Sequence, residues 1–377
     1  MPNGIVLTTL EFVSVTVNER TEWTFVEVHD DGGFSAVVET TSGVDVSGEM
    51  SDLMARVAGR VIEDESKLAE IAGVNDNQAR GSLPLATAVS ALRTAIVDIQ
   101  AQRAGLSLTQ NLDGQPSARI QLYANLNRAL LGGERTPRAF AAVAGRAARD
   151  SFVTVKCAPF DEVRPPSDIE SIVELARPGL DRVAAVRRAV GPDVAVLVDC
   201  HSRFESHTAP AIAEELAKLD VAWFEEPVEP TRHPEALAEI ASRVDAPIAG
   251  GESGYGADFF DGLVTSGAVR ITMPDIKYCG GVAEAVKAAA AVAHSGGRTS
   301  LHGPSGPISI LAGAHVTAAM AAAMPLEFGV YEVPWRAELI EPAERIEGGY
   351  LWFPGGPGLG ARINPKVLRR YGRRWKV

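Results

Sequence analysis

Along the first 50 residues apolar and polar positions alternate. The segments VLTTLEFVSVTV, TEWTFVEVHD and GFSAVVETT each show this period of two, the mark of strands with one buried face. Asp30-Asp31-Gly32-Gly33 reads as a turn between the last two, so an antiparallel meander is expected. Between residues 50 and 106 the period becomes helical. MSDLMARVAGRVI and the longer LATAVSALRTAIVDIQAQRAG follow it, and in the second Ala86, Val89, Leu92, Ile96 and Ile99 share one face. Strands followed by helices describe an α+β unit.

From about residue 118 short apolar runs alternate with helical stretches. Strands are expected at IQLYANL, FVTVKCA, VAVLVDC, AWFEEP, PIAGGE, VRITMPDI, RTSLHG and PLEFGV, with helices such as TAPAIAEELAKLD and VAEAVKAAAAVAH between them. Eight β-then-α units predict an α/β fold with a closed parallel (β/α)8-type barrel. The expected organisation is an α+β capping domain at 1–117, the barrel at 118–330 and a mixed segment at 331–377 that packs back on the cap. At 377 residues the chain is too long for one ordinary core, which agrees with a large and a smaller domain.

Composition narrows the functional classes. A net charge of −12 and the lack of a basic run with interleaved aromatics argue against a nucleic-acid partner. An anionic substrate would then need local positive charge at its site. Cys157, Cys200 and Cys279 are widely spaced without CxxC, so they read as buried thiols rather than as a zinc site or a disulfide framework. No signal-peptide pattern and no long uncharged apolar run is seen, so a cytoplasmic protein that does not enter a membrane is expected.

Chemistry gathers where the strands end. Asp199, Glu225 and Glu252 recur 26 and 27 residues apart, each behind an apolar run, which places them on three successive strand tips. Such tips form the active-site face of a barrel. Converging carboxylates repel one another unless a hard cation lies between them, and oxygen-only ligation suits Mg2+. Other tips offer Lys156, His201, Asp275 with Lys277, His302 and Glu327. Alternation along a strand puts Asp199 and His201 on one side. Asp275 beside His302 would orient the imidazole and favour its charged form. The layout suits removal of the proton α to a carboxylate by Lys156 or His302, with the enediolate resting on the cation. The proton is then returned, a β-hydroxyl is lost as water, or a ring opens.

On AVSALRTAIVDIQAQRAGLSL, VDCH, WFEEP, GGES, MPDIKYCGG and LHGPSGPIS the chain resembles the enolase superfamily, in its mandelate racemase/muconate lactonising branch. The resemblance implies a modified TIM barrel closed by a cap built from both termini, Mg2+ on Asp199, Glu225 and Glu252, an Asp275–His302 dyad, and a homo-oligomer. Many members carry Lys-x-Lys at the second tip, where this chain has Thr154-Val155-Lys156; Lys156 matches the second lysine. His201 stands where Asn is common, which makes VDCHSRF similar to acid-sugar dehydratases, in which this histidine protonates the departing hydroxyl. Lys277 is read as support, and Glu226 as turned away or bonded behind the metal ligands, with direct ligation the lesser reading. Glu327 and Thr154 are candidates for substrate contact, and Arg20 and Trp23 for a cap loop that covers the substrate. His29, His207, His233, His294 and His315 are read as surface or packing residues in helices or loops.

The expected activity is dehydration of a sugar acid, an aldonate or aldarate, to a 2-keto-3-deoxy acid. An isomerase, acting on a sugar-acid lactone or anhydro sugar or as a racemase or epimerase, would use the same groups. A catalytically idle sensor that binds a sugar acid is the reading from another class.

Overall fold

The computed structural model describes residues 4–167 and 170–376. Strands Ile5–Asn18 and Thr21–Asp30 pair antiparallel, and Ser35–Glu39 adds a third beyond the expected turn. Asp30 shapes that turn by accepting the Phe34 N–H at 2.7 Å. The strand on the other side of Ile5–Asn18 comes from the far end of the chain. Gly372–Trp375 pairs with it, Phe12 opposite Trp375, and the two rings stack with centroids 5.5 Å apart. His29 lies in the second strand rather than in a loop or helix.

Two helical readings change. Val61-Ile62, placed by pattern at the end of a helix, instead pairs with Ile5 and Val6. Gly59, at φ 73°, breaks the chain after the helix Ser47–Val57, and two β-branched residues then prefer an extended form. The helix Leu83–Ala104 is buried on nearly all sides from Ala86 to Ile99, not on one face. It is wedged between the cap sheet and the barrel, so its polar side chains face protein as well. Ser90 Oγ accepts the Gly280 N–H at 2.9 Å, and Thr94 Oγ1 accepts the Val282 N–H at 3.3 Å. A Cβ at Gly281 (φ 89°) would stand 2.9 Å from the Ser90 carbonyl oxygen, so only glycine lets this barrel loop lie against the helix.

Among the described residues the barrel has eight strands: Arg119–Asn125, Thr154–Cys157, Ala195–Asp199, Val221–Glu225, Ile248–Gly250, Ile271–Thr272, Arg298–Thr299 and Leu326–Gly329. Neighbours pair in parallel from the first to the seventh, and the eighth pairs with the first. A Thr299–Ala323 bridge and the Met324 N–H on the Thr299 carbonyl at 2.9 Å join the seventh strand to the segment that leads into the eighth. Inside, Tyr123, Leu197, Trp223, Ala249, Ile271 and Met273 form an apolar plug. Period-two alternation then puts Asn125, Asp199, Glu225 and Asp275 one layer higher, at the open end of the strands. The eighth strand is followed by a short turn at Arg336–Leu339 instead of a barrel helix, and a hairpin pairs Tyr350–Trp352 with the start of the first strand. No described helix is long and apolar enough to cross a membrane.

The glycine-rich tail is clamped between cap and barrel at Leu359. Its N–H donates to Asp98 Oδ1 of the long cap helix at 2.6 Å, and its carbonyl lies 3.3 Å from His315 Nε2 on the helix Pro307–Ala319. His315 Nδ1 accepts the Thr109 N–H at 3.3 Å, so the ring is neutral with its proton on Nε2. Burial holds His315 down at about 4 and pushes Asp98 up to about 6. The two act on stability with opposite sign. Below 6.5 the unfolded chain takes up the His315 proton first, so the His315 contribution is present above 6.5 and lost as pH falls through 4. The Asp98 contribution is present below its unfolded value and lost as pH rises through 6. We expect His315→Gln, measured by urea unfolding at pH 7 and pH 4.5, to lose less stability on acidification than the parent. The ceiling on the difference is about 3 kcal/mol. Equal losses would remove His315 as the acid-sensitive group.

Candidate active site

Asp199 and Glu225 face each other directly across adjacent strands, and Glu252 follows the fifth strand after Gly250-Gly251. Each is held by a donor. Asp199 Oδ2 lies 2.6 Å from His201 Nε2, and its Oδ1 accepts the His201 N–H at 2.8 Å. Glu225 accepts Lys156 Nζ at 2.7 Å and the Trp223 indole N–H at 3.1 Å. Glu252 Oε2 is 3.2 Å from His302 Nε2. Glu226, at φ 37°, turns aside and accepts the N–H groups of Gly251 and Glu252 at 2.8 and 3.2 Å, bracing the loop that carries Glu252. As they stand, among the described residues, no three Asp, Glu, His or Cys groups enclose a point where an ion could sit.

Lys156 is 1% exposed and bridges Glu225 and Glu327, both at 2.7 Å. Glu327 also accepts Asn125 Nδ2 at 2.7 Å and the Gly303 N–H at 3.2 Å, and lies 3.9 Å from His302 Nε2. It therefore lies between the lysine and the histidine. His302 Nδ1 lies 2.8 Å from Asp275 Oδ2. The same oxygen accepts Lys277 Nζ at 2.6 Å, and Lys277 continues to Ser305 Oγ at 2.7 Å. The Asp275–His302 pair is thus one arm of a buried chain that runs on through Lys277 to Ser305, a residue the sequence reading did not single out.

The electrostatics follow from crowding. Burial pushes Glu225 up to about 8 against the pull of Lys156, and Asp199, Glu327 and Glu252 add to the push. Burial opposes the charged forms of Lys156 and His302, yet their acidic neighbours win: Glu225 and Glu327 hold Lys156 well above its usual range, and Glu252 with Asp275 and Glu327 brings His302 to about 9. Burial would raise Asp275, but Lys277 and His302 keep it at about 2. The Asp199 carboxylate raises His201.

A cavity of 1030 Å³ opens above this floor, and Lys156, Asp199, His201 and His302 reach its surface. Its roof comes from the cap turn at Arg20, the segment 41–47 and the C-terminal strand. Arg20 lines this cavity. Two other expectations fail. Trp23 is fully buried, edge-on to Trp335 with Arg336 over its ring, because strand alternation turns it into the core. Thr154 stands one layer below Lys156 and lines a separate cavity at the opposite end of the barrel with Tyr123 and Trp223. Neither reaches the site.

Residues 139–367 match the enolase C-terminal domain-like family. The chain is a member of the enolase superfamily. It is 31% identical to D-gluconate dehydratase of Thermoproteus tenax over 77% of this chain, which corresponds to 57% of that enzyme. With D-xylonate dehydratase of Haloferax volcanii the identity is 27% over 91% of this chain and 83% of that one. With D-galactarolactone cycloisomerase of Agrobacterium fabrum it is 29% over 76% and 74%. A solved member of the enolase superfamily from Salmonella Typhimurium superposes with a TM-score of 0.85 over 99% of this chain and all of that one, at 22% identity. A mandelate racemase/muconate lactonizing enzyme from Jannaschia sp. CCS1 gives 0.82 over 99% and 98%, at 24% identity. These structures establish the barrel-and-cap fold. Enzymes of the enolase superfamily generally use Mg2+.

For this enolase-superfamily chain the buried ion chain makes a stability prediction. Lys277→Met leaves Asp275 charged and buried with His302 as its remaining ring partner. We expect a loss of about 3 kcal/mol in urea unfolding. A loss within about 0.5 kcal/mol would show that Lys277 does not hold Asp275 in place.

Proposed function

We propose that the chain is a Mg2+-dependent lyase that dehydrates a sugar acid to a 2-keto-3-deoxy acid. In this reading 118–330 forms the catalytic unit and 1–117 the cap, to which 331–377 returns through Gly372–Trp375 while its strand Tyr350–Trp352 stays on the barrel. The observation that carries it is the placement of Lys156 and His302, both joined to Glu327, around a floor where His201 stands beside the first acidic ligand. Base, second base and acid open on one cavity.

Asp199, Glu225 and Glu252 are the residues that would hold the cation. The donor set fits a hard dication: all oxygen, on neighbouring strand ends, with more carboxylate nearby than Lys156 and Lys277 can balance. Bound there, Mg2+ would neutralise the substrate carboxylate and the charge that develops as the α-proton leaves.

The remaining work belongs to the side chains of the protein. Lys156 or His302, each held charged by its acidic neighbours, would first shed its proton once Glu225 and Glu252 turned to a dication, and would then accept the α-proton, according to which face of the substrate carries it. Asp275 holds the His302 ring through Nδ1, which leaves Nε2 facing the floor. Half-exposed His201 donates a proton to the β-hydroxyl, which leaves as water. The enol that remains tautomerises to the 2-keto-3-deoxy acid. Buried thiols at Cys157, Cys200 and Cys279 suit the reducing cytoplasm, where we place the enzyme.

An isomerase reading draws on the likeness to the Agrobacterium fabrum cycloisomerase. In that case Lys156 and His302 do the same proton work, and His201 binds a hydroxyl instead of expelling one. Incubation with Mg2+ and a panel of sugar acids in D2O separates the readings. We expect α-deuterium incorporation together with 2-keto-3-deoxy acid. Lys156→Met and His302→Asn should each lower turnover by about 10³-fold. His201→Asn should keep α-exchange and lose water elimination; dehydration at the parent rate in that variant would remove the assigned acid. Chelation should abolish exchange and added Mg2+ restore it. Tight binding of an acid with no exchange in any condition would mark a sensor.

A further inference from the structure

The cavity roof carries positive charge that the proton chemistry does not use. Arg20 sits at the tip of the turn between the two long cap strands, where its N–H donates to Asn18 Oδ1 at 2.9 Å. Among the described residues its guanidinium has no carboxylate within ion-pair distance, unlike Arg373 beside it, which lies 3.9 Å from Glu22. Arg128, on the turn after the first barrel strand, lines the same cavity. Its closest carboxylate is Glu332 at 3.8 Å, beyond hydrogen-bond reach. The acids of the roof are occupied: Glu22 with Arg373, and Asp45 with the Ser47 N–H at 2.9 Å. Arg20 thus has no carboxylate partner among the described residues, and Arg128 has only Glu332 at 3.8 Å, above a floor rich in carboxylates in a protein of net charge −12.

Resting on the reading of the floor as a sugar-acid site, we propose that the substrate carries a second anionic group at the end remote from its reacting carboxylate, and that Arg20 and Arg128 bind it. A guanidinium takes an oxyanion through two parallel N–H groups, which gives orientation as well as attraction. A terminal hydroxymethyl group, as in an aldonate, would leave Arg20 without a charged partner and Arg128 with Glu332 alone, beyond hydrogen-bond reach. The shared chemistry of the recognised group is a terminal oxyanion, carboxylate or phosphate. The substrate class is therefore an aldarate or an ω-phosphorylated aldonate, in contrast to the simple aldonates in the names of the T. tenax and H. volcanii relatives.

The test compares matched acids on the Mg2+-loaded enzyme: D-gluconate with D-glucarate and with 6-phospho-D-gluconate, and D-galactonate with galactarate. Readouts are α-deuterium exchange and kcat/KM for 2-keto acid formation. We expect a diacid or the phosphorylated acid to exceed its hydroxymethyl counterpart by about 10- to 100-fold. Preference for the diacid assigns a carboxylate, and preference for the phospho acid assigns a phosphate. Arg20→Gln and Arg128→Gln should each raise KM for the dianionic acid and bring the ratio toward one. A hydroxymethyl acid used as well as its dianionic counterpart, or a ratio unchanged in both variants, overturns the inference and leaves the lyase reading standing. No exchange with any acid overturns both.

Discussion

The structure turns on one electrostatic constraint, the crowding of carboxylates at the open end of a narrow barrel. Asp199, Glu225, Glu252, Asp275 and Glu327 stand on strand ends of one ring, and all but Glu252 are buried. Left alone they would repel one another through a medium that screens poorly. Every cationic group nearby is recruited to prevent this: Lys156 bridges two of them, Lys277 and His302 share Asp275, and His201 folds back on Asp199. The groups that neutralise the floor are those assigned to move protons. Stability and chemistry therefore draw on the same contacts, and a dication on the floor would release part of this set for its work.

The cap is held above that floor by contacts that involve both chain ends. The final strand pairs with the first, Leu359 is clamped from the cap helix and from a barrel helix, and Ser90 and Thr94 bind the loop at Gly280–Val282. Arg93 reinforces the junction by pairing with Glu65 of the cap and, at 3.2 Å, with Glu284 of the barrel. These attachments surround the long helix Leu83–Ala104, which explains why its polar positions are interior. They also position the Asn18–Thr21 turn, so the roof of the cavity follows from packing far from the reacting atoms.

Much was legible from order along the chain. Period-two runs gave the meander because a pleated strand exposes alternate side chains to one environment, and short apolar runs between helical stretches gave the eight barrel strands. The 26- and 27-residue spacing of Asp199, Glu225 and Glu252 gave adjacent strand tips, since one strand and one helix take about that length. Two candidates fell elsewhere. Thr154, taken from the Lys-x-Lys position, lies one layer deeper than Lys156, and Trp23, taken with Arg20 as part of a cap loop, lies in a strand with its side chain in the core.

Local pattern thus sets what each segment becomes and which residue ends each strand, because those depend on neighbours within a turn or two. Partners far apart in the chain answer to closure of the barrel and docking of the cap. Glu327 between Lys156, Asn125 and His302, the Leu359 clamp and the unpaired guanidinium of Arg20 exist only once those surfaces meet. The carboxylate positions were written in the chain; the balance of charge around them was decided by the fold.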